Sequence, residues 1–303
     1  MENNEYVFRC NNIYKTYGKQ KALNGLSMNV RAHEIYGFVG ENGSGKTTII
    51  RVITGLIFPN DGEYELFGVK STDKNIAKAR KNLGAIVETP SIYSNMTLKN
   101  NMLLQGIIVG NNNAEKIKEV LELVGLYDIY NDNKKVQNFS LGMRQRLGIA
   151  MALLKEPKFI ILDEPMNGLD PEGVVAMRNL ILKLNQERGI TFLISSHILT
   201  ELGLVATSYG IISHGQMVKE ITKEELDRVC KHESFLKVSD IDKGYELIKD
   251  ICDVTKLEKG LRINGQFEMK DVFKALILNG IDILKFEEVK SDIEKYYLSL
   301  IRR

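Results

Sequence analysis

The chain has 303 residues, of which 44% are hydrophobic and 26% are charged, and its formal net charge is +2. This composition is ordinary for a globular protein, and the length suits one large domain with a second, smaller one. The balanced charge gives no electrostatic argument for nucleic acid, so we expect no nucleic-acid partner. No apolar run reaches the length of a membrane span, and the acidic, polar start of the chain is unlike a secretion signal.

The first part of the chain is predicted to be rich in β-strands. Strand-like segments cover Tyr6–Tyr14 and Ala22–Val30, with the turn Gly18–Gln20 between them. The apolar run Ile35–Val39 predicts a buried strand, and Glu63–Phe67 predicts a short strand bounded by glycines.

A phosphate-binding loop follows the predicted strand Ile35–Val39 and precedes a helix-like run, Thr48–Thr54. Residues 40–47 read Gly-Glu-Asn-Gly-Ser-Gly-Lys-Thr and fill every position of the pattern GxxxxGK[ST]. Glycines let the backbone wind around a triphosphate with its N–H groups pointing inward, and the helix adds its positive N-terminal end. The alternative is a glycine-rich turn that only happens to precede a helix. The predicted ligand-binding residues here are Gly40, Glu41, Asn42, Gly43, Ser44, Gly45, Lys46, Thr47 and Thr48.

Two residues of this loop have specific predicted roles. Lys46 would reach the β- and γ-phosphates, and the hydroxyl of Thr47 would bind Mg²⁺.

The middle of the chain is predicted to be mainly helical. Asn75–Asn82 predicts a helix and Leu83–Glu88 an apolar strand, after which helical periodicity runs through Thr97–Tyr127. Ser140 then stands as the N-cap of a further helix, which is expected to end near Pro157.

Short buried strands then alternate with helices. Phe159–Leu162 and Thr191–Ser196 predict strands, and Glu172–Arg188 predicts a long helix closed by Gly189. This alternation is typical of an α/β fold with a mostly parallel sheet and helical cover.

Two carboxylates, Asp163 and Glu164, directly follow the predicted strand Phe159–Leu162. Ligands bind at the carboxyl ends of strands in such sheets. Asp163 can hold Mg²⁺, directly or through water, and Glu164 can accept a proton from the attacking water. The alternative is a strand that ends in a solvated acidic turn.

Beyond residue 220 the pattern changes to strand, helix, strand, strand, helix, strand, a split βαβ arrangement. The predicted strands are Phe235–Val238, Val254–Leu257, Leu261–Asn264 and Ile283–Phe286, the helices between them are Tyr245–Ile251 and Met269–Asn279, and a terminal helix is Asp292–Ile301. We therefore predict a nucleotide-binding domain at 1–229 and a small α+β domain at 230–303.

The segment Asn138–Arg146 is similar to the signature motif of ABC transporter ATP-binding subunits, usually written LSGGQ. Ser140 and Gly142 match the motif, whereas Leu141 and Met143 replace its common Gly and Gln. With the motifs above in order, the chain resembles this family over about residues 5–220. A capped core helix is the alternative interpretation of this segment alone.

The resemblance implies a fold and further site residues. It implies a P-loop ATPase core with an antiparallel β subdomain, a helical subdomain at about 95–154 and the small C-terminal α+β domain. His197 matches the family's switch histidine, which contacts the γ-phosphate, and Asp170 matches the D-loop residue that faces the opposite subunit. Tyr17 lies where the family has an aromatic that stacks on adenine, although an ordinary strand-end tyrosine is the alternative.

One departure from the family pattern concerns Glu88. The family usually has a glutamine here that senses Mg²⁺ and water, and a carboxylate can also bind either of them. Glu88 together with the run Pro90–Tyr93 resembles the bacitracin and lantibiotic export subgroup.

The resemblance implies ATP and Mg²⁺ as ligands, with Glu164, His197 and Glu88 as the catalytic residues. Each ATP site would combine the phosphate loop of one chain with Ser140 and Gly142 of a second chain, in a homodimer or with a paired ABC subunit. A separate membrane permease, docked near Glu88–Met102, would hold the protein at the cytoplasmic face of the cell membrane and export an antibiotic or antimicrobial peptide. The alternative is a soluble ABC ATPase acting on a ribosome, on DNA or on a sensor kinase.

Overall fold

The structure is a computed structural model that describes residues 5–229, 233–264, 268–289, 296–297 and 300. The chain divides into two compact units, Met1–Ile221 and Thr222–Arg303. The predicted assignment of a nucleotide-binding domain to residues 1–229 and of a small α+β domain to residues 230–303 stays a prediction. Within the described residues, no helix combines the length and the apolar character needed to cross a membrane.

The first unit contains two sheets and the helices that cover them. Its strands are β1 (Tyr6–Tyr17), β2 (Gln20–Arg31), β3 (Ile35–Val39), β4 (Asp61–Leu66), β5 (Val69–Lys70), β6 (Leu83–Ile86), β7 (Phe159–Asp163), β8 (Thr191–Ser196), β9 (Ser208–Ser213) and β10 (Gln216–Thr222). Its α-helices are α1 (Lys46–Thr54), α2 (Ile76–Ala79), α3 (Leu98–Val109), α4 (Ala114–Leu123), α5 (Leu141–Leu153), α6 (Pro171–Arg188) and α7 (Leu199–Leu202).

The larger sheet determines where the functional groups meet. Its strand order is β10-β9-β3-β8-β7-β6, and the pairings of β9 with β3, β3 with β8, β8 with β7 and β7 with β6 are parallel. Every residue of β3, β7 and β8 is buried, as a sheet covered on both faces requires. Because neighbouring parallel strands end at the same edge, the segments that follow β3, β8 and β7 lie side by side.

One hydrophobic core joins this sheet to the smaller antiparallel sheet, β2-β1-β4-β5, and to α1. Phe8 and Leu26 of the small sheet, Phe38 and Phe159 of the large sheet and Ile53 of α1 are all fully buried in it. Since α1 begins at Lys46, the packing of this helix fixes the phosphate loop in place.

The helical region agrees with the periodicity in the sequence. Thr97 caps α3 by accepting a hydrogen bond from Asn100 N, and Asn113 caps α4 after the polar break. Ser140 caps α5 by accepting from Met143 N at 3.2 Å, which confirms the predicted N-cap.

The second unit has the predicted βαββαβ order. After α8 (Lys223–Val229) come β11 (Glu233–Val238), α9 (Ile241–Ile248), β12 (Asp253–Leu257), β13 (Gly260–Asn264), α10 (Met269–Leu278) and β14 (Ile283–Val289). Its antiparallel sheet has the order β12-β13-β11-β14 and a core that includes Leu236, Leu261 and Leu276. The predicted terminal helix Asp292–Ile301 lies largely outside the described residues.

The structure corrects one sequence prediction in the first unit and contains one hairpin that was not predicted. The strand predicted at Leu83–Glu88 ends at Ile86, because Glu88 has a φ of 62°, a left-handed conformation that a strand cannot continue through. The sequence analysis also missed the hairpin of β9 and β10, whose turn contains His214 and Gly215, both at positive φ.

Candidate functional site

The phosphate loop, residues 40–47, has the backbone geometry that its glycines permit. Gly43 and Gly45 have φ values of 82° and 112°, a region that other residues rarely adopt. At Gly40 a Cβ atom would lie 2.5 Å from Ser44 Oγ and 2.6 Å from the carbonyl oxygen of Ile212, so a larger residue would collide with fixed neighbours. The loop is therefore compact and winds tightly into the start of α1.

Lys46 points its amine back into the loop. The side chain is only 6% exposed, and Nζ donates to the carbonyl oxygens of Gly40 at 2.7 Å and Glu41 at 3.2 Å. The hydroxyl oxygen of Ser44 is buried with no hydrogen-bond partner among the described residues. A buried ammonium beside an unsatisfied hydroxyl is the polar environment that a phosphate group would complete.

Asp163 is held by hydroxyl groups on both sides. It ends β7 and is 3% exposed. Thr47 Oγ1 donates to Asp163 Oδ2 at 2.9 Å, and Ser195 Oγ donates to Asp163 Oδ1 at 2.5 Å. The sequence prediction paired Thr47 with Asp163 as metal ligands, and the structure places their oxygen atoms in direct contact.

Glu164 lies between a lysine and a histidine. Its Oε2 is 2.8 Å from His197 Nδ1, and its Oε1 is 3.5 Å from Lys46 Nζ. The side chain is 23% exposed, so water can reach the carboxylate. This arrangement can hold a carboxylate in a fixed orientation within reach of water, which a general base requires.

These residues fit a magnesium nucleotide better than a metal bound by protein alone. The described part of the chain contains no cluster of three or more His, Cys, Asp or Glu side chains able to hold a metal ion. Mg²⁺ commonly takes only one or two protein ligands, with phosphate oxygens and water completing its shell. Thr47 and Asp163 supply two such oxygens beside the phosphate loop.

Two predicted site residues stand apart from this cluster. The carboxylate of Glu88 pairs with Arg51 of α1, its Oε1 lying 2.5 Å from Arg51 Nη2, rather than with Thr47 or Asp163. Tyr17 ends β1, is 45% exposed and has Lys15 Nζ 5.5 Å from its ring centroid. The roles of Glu88 in catalysis and of Tyr17 in adenine binding stay predictions.

The signature segment and the D-loop meet within one chain. A Cβ atom on Gly142 would lie 3.7 Å from Leu169, and one on Gly168 would lie 3.2 Å from Leu141. Asp170 caps α6 by accepting from Gly173 N at 3.0 Å. The recorded hydrogen bonds of Ser140 and Asp170 are thus to the backbone of their own helices, and their contacts with nucleotide or with a second subunit stay predictions.

Sequence reasoning missed Ser195, which bonds directly to Asp163. A signal was present, because a serine that follows a buried apolar run within a strand must find a hydrogen-bond partner. Arg51 was also missed, and the exposed side chain of a helix residue gave no indication that it pairs with Glu88.

The family model for ABC transporters matches residues 23–167. A bacitracin transport ATP-binding protein of Bacillus licheniformis is 41% identical over 300 residues, which covers 97% of each chain. A lantibiotic transport ATP-binding protein of Streptococcus pyogenes is 38% identical over 214 residues, covering 71% of this chain and 90% of that relative.

Solved structures share the fold. A dimeric ATP-binding cassette in a post-hydrolysis state, bound to ADP and phosphate, is 26% identical with a TM-score of 0.63, covering 71% of this chain and 98% of that one. These likenesses confirm the predicted α/β cassette fold and the resemblance to the bacitracin and lantibiotic transport subgroup, and they do not support the alternative of a soluble, non-transport ABC protein. The chain belongs to the ABC transporter family and is one of its ATP-binding, ATP-hydrolysing subunits.

Proposed function

We propose that two copies of this subunit enclose ATP and Mg²⁺ and hydrolyse the ATP to drive a separate permease that exports an antimicrobial peptide or peptide antibiotic. The observation that carries the proposal is the convergence of Lys46, Thr47, Asp163, Glu164 and His197 at one edge of the parallel sheet. The cargo class rests on the relatives, which are named for bacitracin and lantibiotic transport.

The residues divide the chemistry among them. On binding, the amine of Lys46 would exchange the loop carbonyls for the β- and γ-phosphate oxygens. Thr47 and Asp163 would hold Mg²⁺, which supplies positive charge to the phosphate oxygens. The Glu164 carboxylate would accept the proton of the attacking water, while His197 holds that carboxylate in place and reaches the γ-phosphate.

A second chain is needed to complete each site. Ser140 lies at the N-terminus of α5, whose first amides and positive dipole end suit a phosphate group. Its recorded hydrogen bond is to Met143 rather than to any residue of the phosphate loop. We therefore assign Ser140 and Gly142 to the ATP held by the partner copy, as the dimeric form of a similar cassette supports.

The permease would dock on the apolar surface beside α3. A cleft of about 350 Å³ lies here, lined by residues that include Val87, Pro90 and Gln105. Ile107 and Ile108 of α3 are more than 60% exposed, at 65% and 63%, which is unusual for adjacent isoleucines without a partner. Docking on this surface would hold the subunit at the cytoplasmic face of the membrane.

Mixing two inactive variants tests the shared sites. Ser140→Arg should bind ATP yet fail to hydrolyse it, and Lys46→Ala should lose ATP affinity. In a mixed dimer one site carries both changes and the other carries neither, so phosphate release should return. The extent of mixed dimers is measured in parallel by pulling down one affinity-tagged variant. If mixed dimers form but release no phosphate, the result would contradict two ATP sites that work independently and are each built from both chains.

Co-purification from detergent-solubilised membranes tests the permease contact. Ile107→Asp should reduce the amount of permease retained on the tagged subunit, because a charge replaces exposed apolar surface. Val218→Asp is the matched control, since Val218 is an exposed apolar residue of β10, at 38%. Equal retention by both variants would place the contact elsewhere.

A further inference from the structure

Ser195 is an unusual residue for its position. It lies in β8 with a relative exposure of 0%, in the interior of the parallel sheet. Its neighbours along the strand include the fully buried Leu193 and Ile194. A hydroxyl in such surroundings is costly unless it is bonded, so the contacts that it makes explain its presence.

The hydroxyl oxygen of Ser195 joins two consecutive residues of the site. It donates to Asp163 Oδ1 at 2.5 Å and accepts from the backbone N–H of Glu164 at 3.0 Å. The same N–H also lies 3.2 Å from the carbonyl oxygen of Ser195. Asp163 and Ser195 are paired residues of the adjacent strands β7 and β8, so the strand register brings them together.

The backbone of Glu164 needs this support. Its φ is 51°, a left-handed conformation that is unfavourable for a residue with a side chain. The turn carries the carboxylate to His197, 2.8 Å away. Without the bond to Ser195 Oγ, this N–H would keep the longer bond to the carbonyl oxygen of Ser195, and the less constrained turn would let the carboxylate move away from both the histidine and Lys46.

Asp163 needs the same hydroxyl for a different reason. Thr47 occupies Oδ2 from the side of the phosphate loop, and Ser195 occupies Oδ1 from the side of the sheet. The two bonds fix the plane of the carboxylate. A single serine hydroxyl can act as donor and acceptor at once, which neither alanine nor valine can do.

We propose that Ser195 is a positioning residue that sets both the rotamer of Asp163 and the backbone turn of Glu164, and thereby the geometry of ATP hydrolysis. This inference rests on the proposed function of those two acidic residues. In this role Ser195 acts through Asp163 and Glu164 and does not itself need to contact ATP.

The pair Ser195→Thr and Ser195→Val isolates the hydroxyl, because threonine and valine have nearly the same shape. Ser195→Thr should retain most of the turnover of the natural protein. Ser195→Val should lower kcat by about 10- to 100-fold relative to Ser195→Thr, since a bond to a charged group is lost, with the KM for ATP almost unchanged. If valine proves too large to fold there, Ser195→Ala replaces it and the comparison is with natural protein.

Hydrogen exchange provides a readout independent of turnover. Without nucleotide, the amide of Glu164 should exchange faster in Ser195→Val than in Ser195→Thr, with the amides of β7 unchanged. Ser208→Ala is the control, because the buried Ser208 in β9 of the same sheet donates its hydroxyl to Glu34 Oε2 at 2.8 Å rather than to a residue of the site, and its loss should leave kcat unaffected.

Two outcomes are decisive. Equal kcat values and equal Glu164 exchange in folded Ser195→Thr and Ser195→Val would overturn the positioning role. Glu164→Gln distinguishes this failure from a failure of the proposed function. If Glu164→Gln loses hydrolysis while Ser195→Thr and Ser195→Val have equal kcat values, only the positioning role of Ser195 fails. Normal turnover of Glu164→Gln would instead refute Glu164 as the general base.

Discussion

The two units of the chain differ in whether their described residues include buried charged side chains. In the first unit, Lys46 and Asp163 are almost completely buried, at 6% and 3% exposed, and Glu164 lies against both Lys46 and His197. Taking charges out of water costs free energy that ordinary packing would avoid. Such a cluster at the end of parallel strands therefore indicates chemistry rather than stability.

In the second unit the ion pairs lie on the surface. In the described part of this unit they are Lys249 with Glu246, Lys256 with Asp242 and Lys285 with Glu287, and each of these side chains is at least 41% exposed. Exposed pairs of this kind contribute little to stability. The stability of this unit instead comes from its apolar core, and its charges keep the surface hydrated.

Strand direction explains the difference. Parallel neighbours end at one edge, so β3, β8 and β7 bring three sequence segments to one place. The second sheet is antiparallel throughout its recorded pairings, and adjacent strands end at opposite edges. Substitutions in the two units should therefore separate catalysis from folding.

The largest effect is expected for Glu164→Gln in the first unit. Hydrolysis should fall by about 10²- to 10⁴-fold, because a positioned base is lost while the shape of the side chain is kept. ATP affinity should be retained, and the ATP-bound dimer should accumulate. Steady-state phosphate release and size-exclusion chromatography with light scattering measure the two effects. Near-normal turnover would show that another residue activates the water.

In the second unit, Leu236→Ala should damage folding without damaging the ATP site. Leu236 is fully buried, and its truncation should destabilise that unit by about 2–5 kcal/mol. Thermal denaturation measures the loss, and ATP affinity below the transition should be unchanged. Leu193→Ala, in a fully buried position of β8, is the matched change that should weaken ATP binding as well. A loss of ATP affinity in folded Leu236→Ala would make the second unit part of the catalytic core.

Lys46→Ala tests whether the buried charges of the first unit contribute to ATP binding. The variant should lose at least about tenfold in ATP affinity, because charge-assisted bonds to phosphate disappear. Equilibrium binding of labelled ATP measures the loss. Lys183→Ala, an exposed change on α6, should bind as the natural protein does. Unchanged affinity in folded Lys46→Ala would refute the assignment of the phosphate loop.

The smallest effect is expected for Lys249→Ala in the second unit. This residue pairs with Glu246 on an exposed helix end, where solvent screens the interaction. The melting temperature and the rate of ATP hydrolysis should both stay within experimental error of the natural values. A clear fall in either quantity would mean that this surface ion pair contributes to stability or to ATP hydrolysis.

Most of the site could be predicted because its residues lie in contiguous motifs. The phosphate loop and the pair Asp163–Glu164 could be found from local spacing, and the parallel sheet explains why they meet. The sequence indicates that the Ser195 hydroxyl needs a hydrogen-bond partner, but the partner could not be named, because it depends on the register of β7 with β8, which no local pattern contains. The surroundings of Glu88 could not be predicted either, since its backbone conformation and its pairing with Arg51 depend on where β6 ends.

The fold was predictable to a similar extent. The apolar runs of β3, β7 and β8 and the alternation in the second unit led to the right elements. The hairpin of β9 and β10 was missed, because polar and apolar residues do not alternate regularly along its strands. Its turn also places His214, which is not a glycine, at positive φ.

The order of strands in the large sheet also has a consequence for how the protein is made. β3 and β7 carry the phosphate loop and the acidic pair, yet they are not neighbours, because β8 lies between them. β8 is the last of the three to be synthesised. A nascent chain that has emerged only to residue 190 therefore contains every residue of both motifs but cannot hold them in register. Since such distant pairings form slowly, we expect ATP to assist folding only after β8 has been inserted.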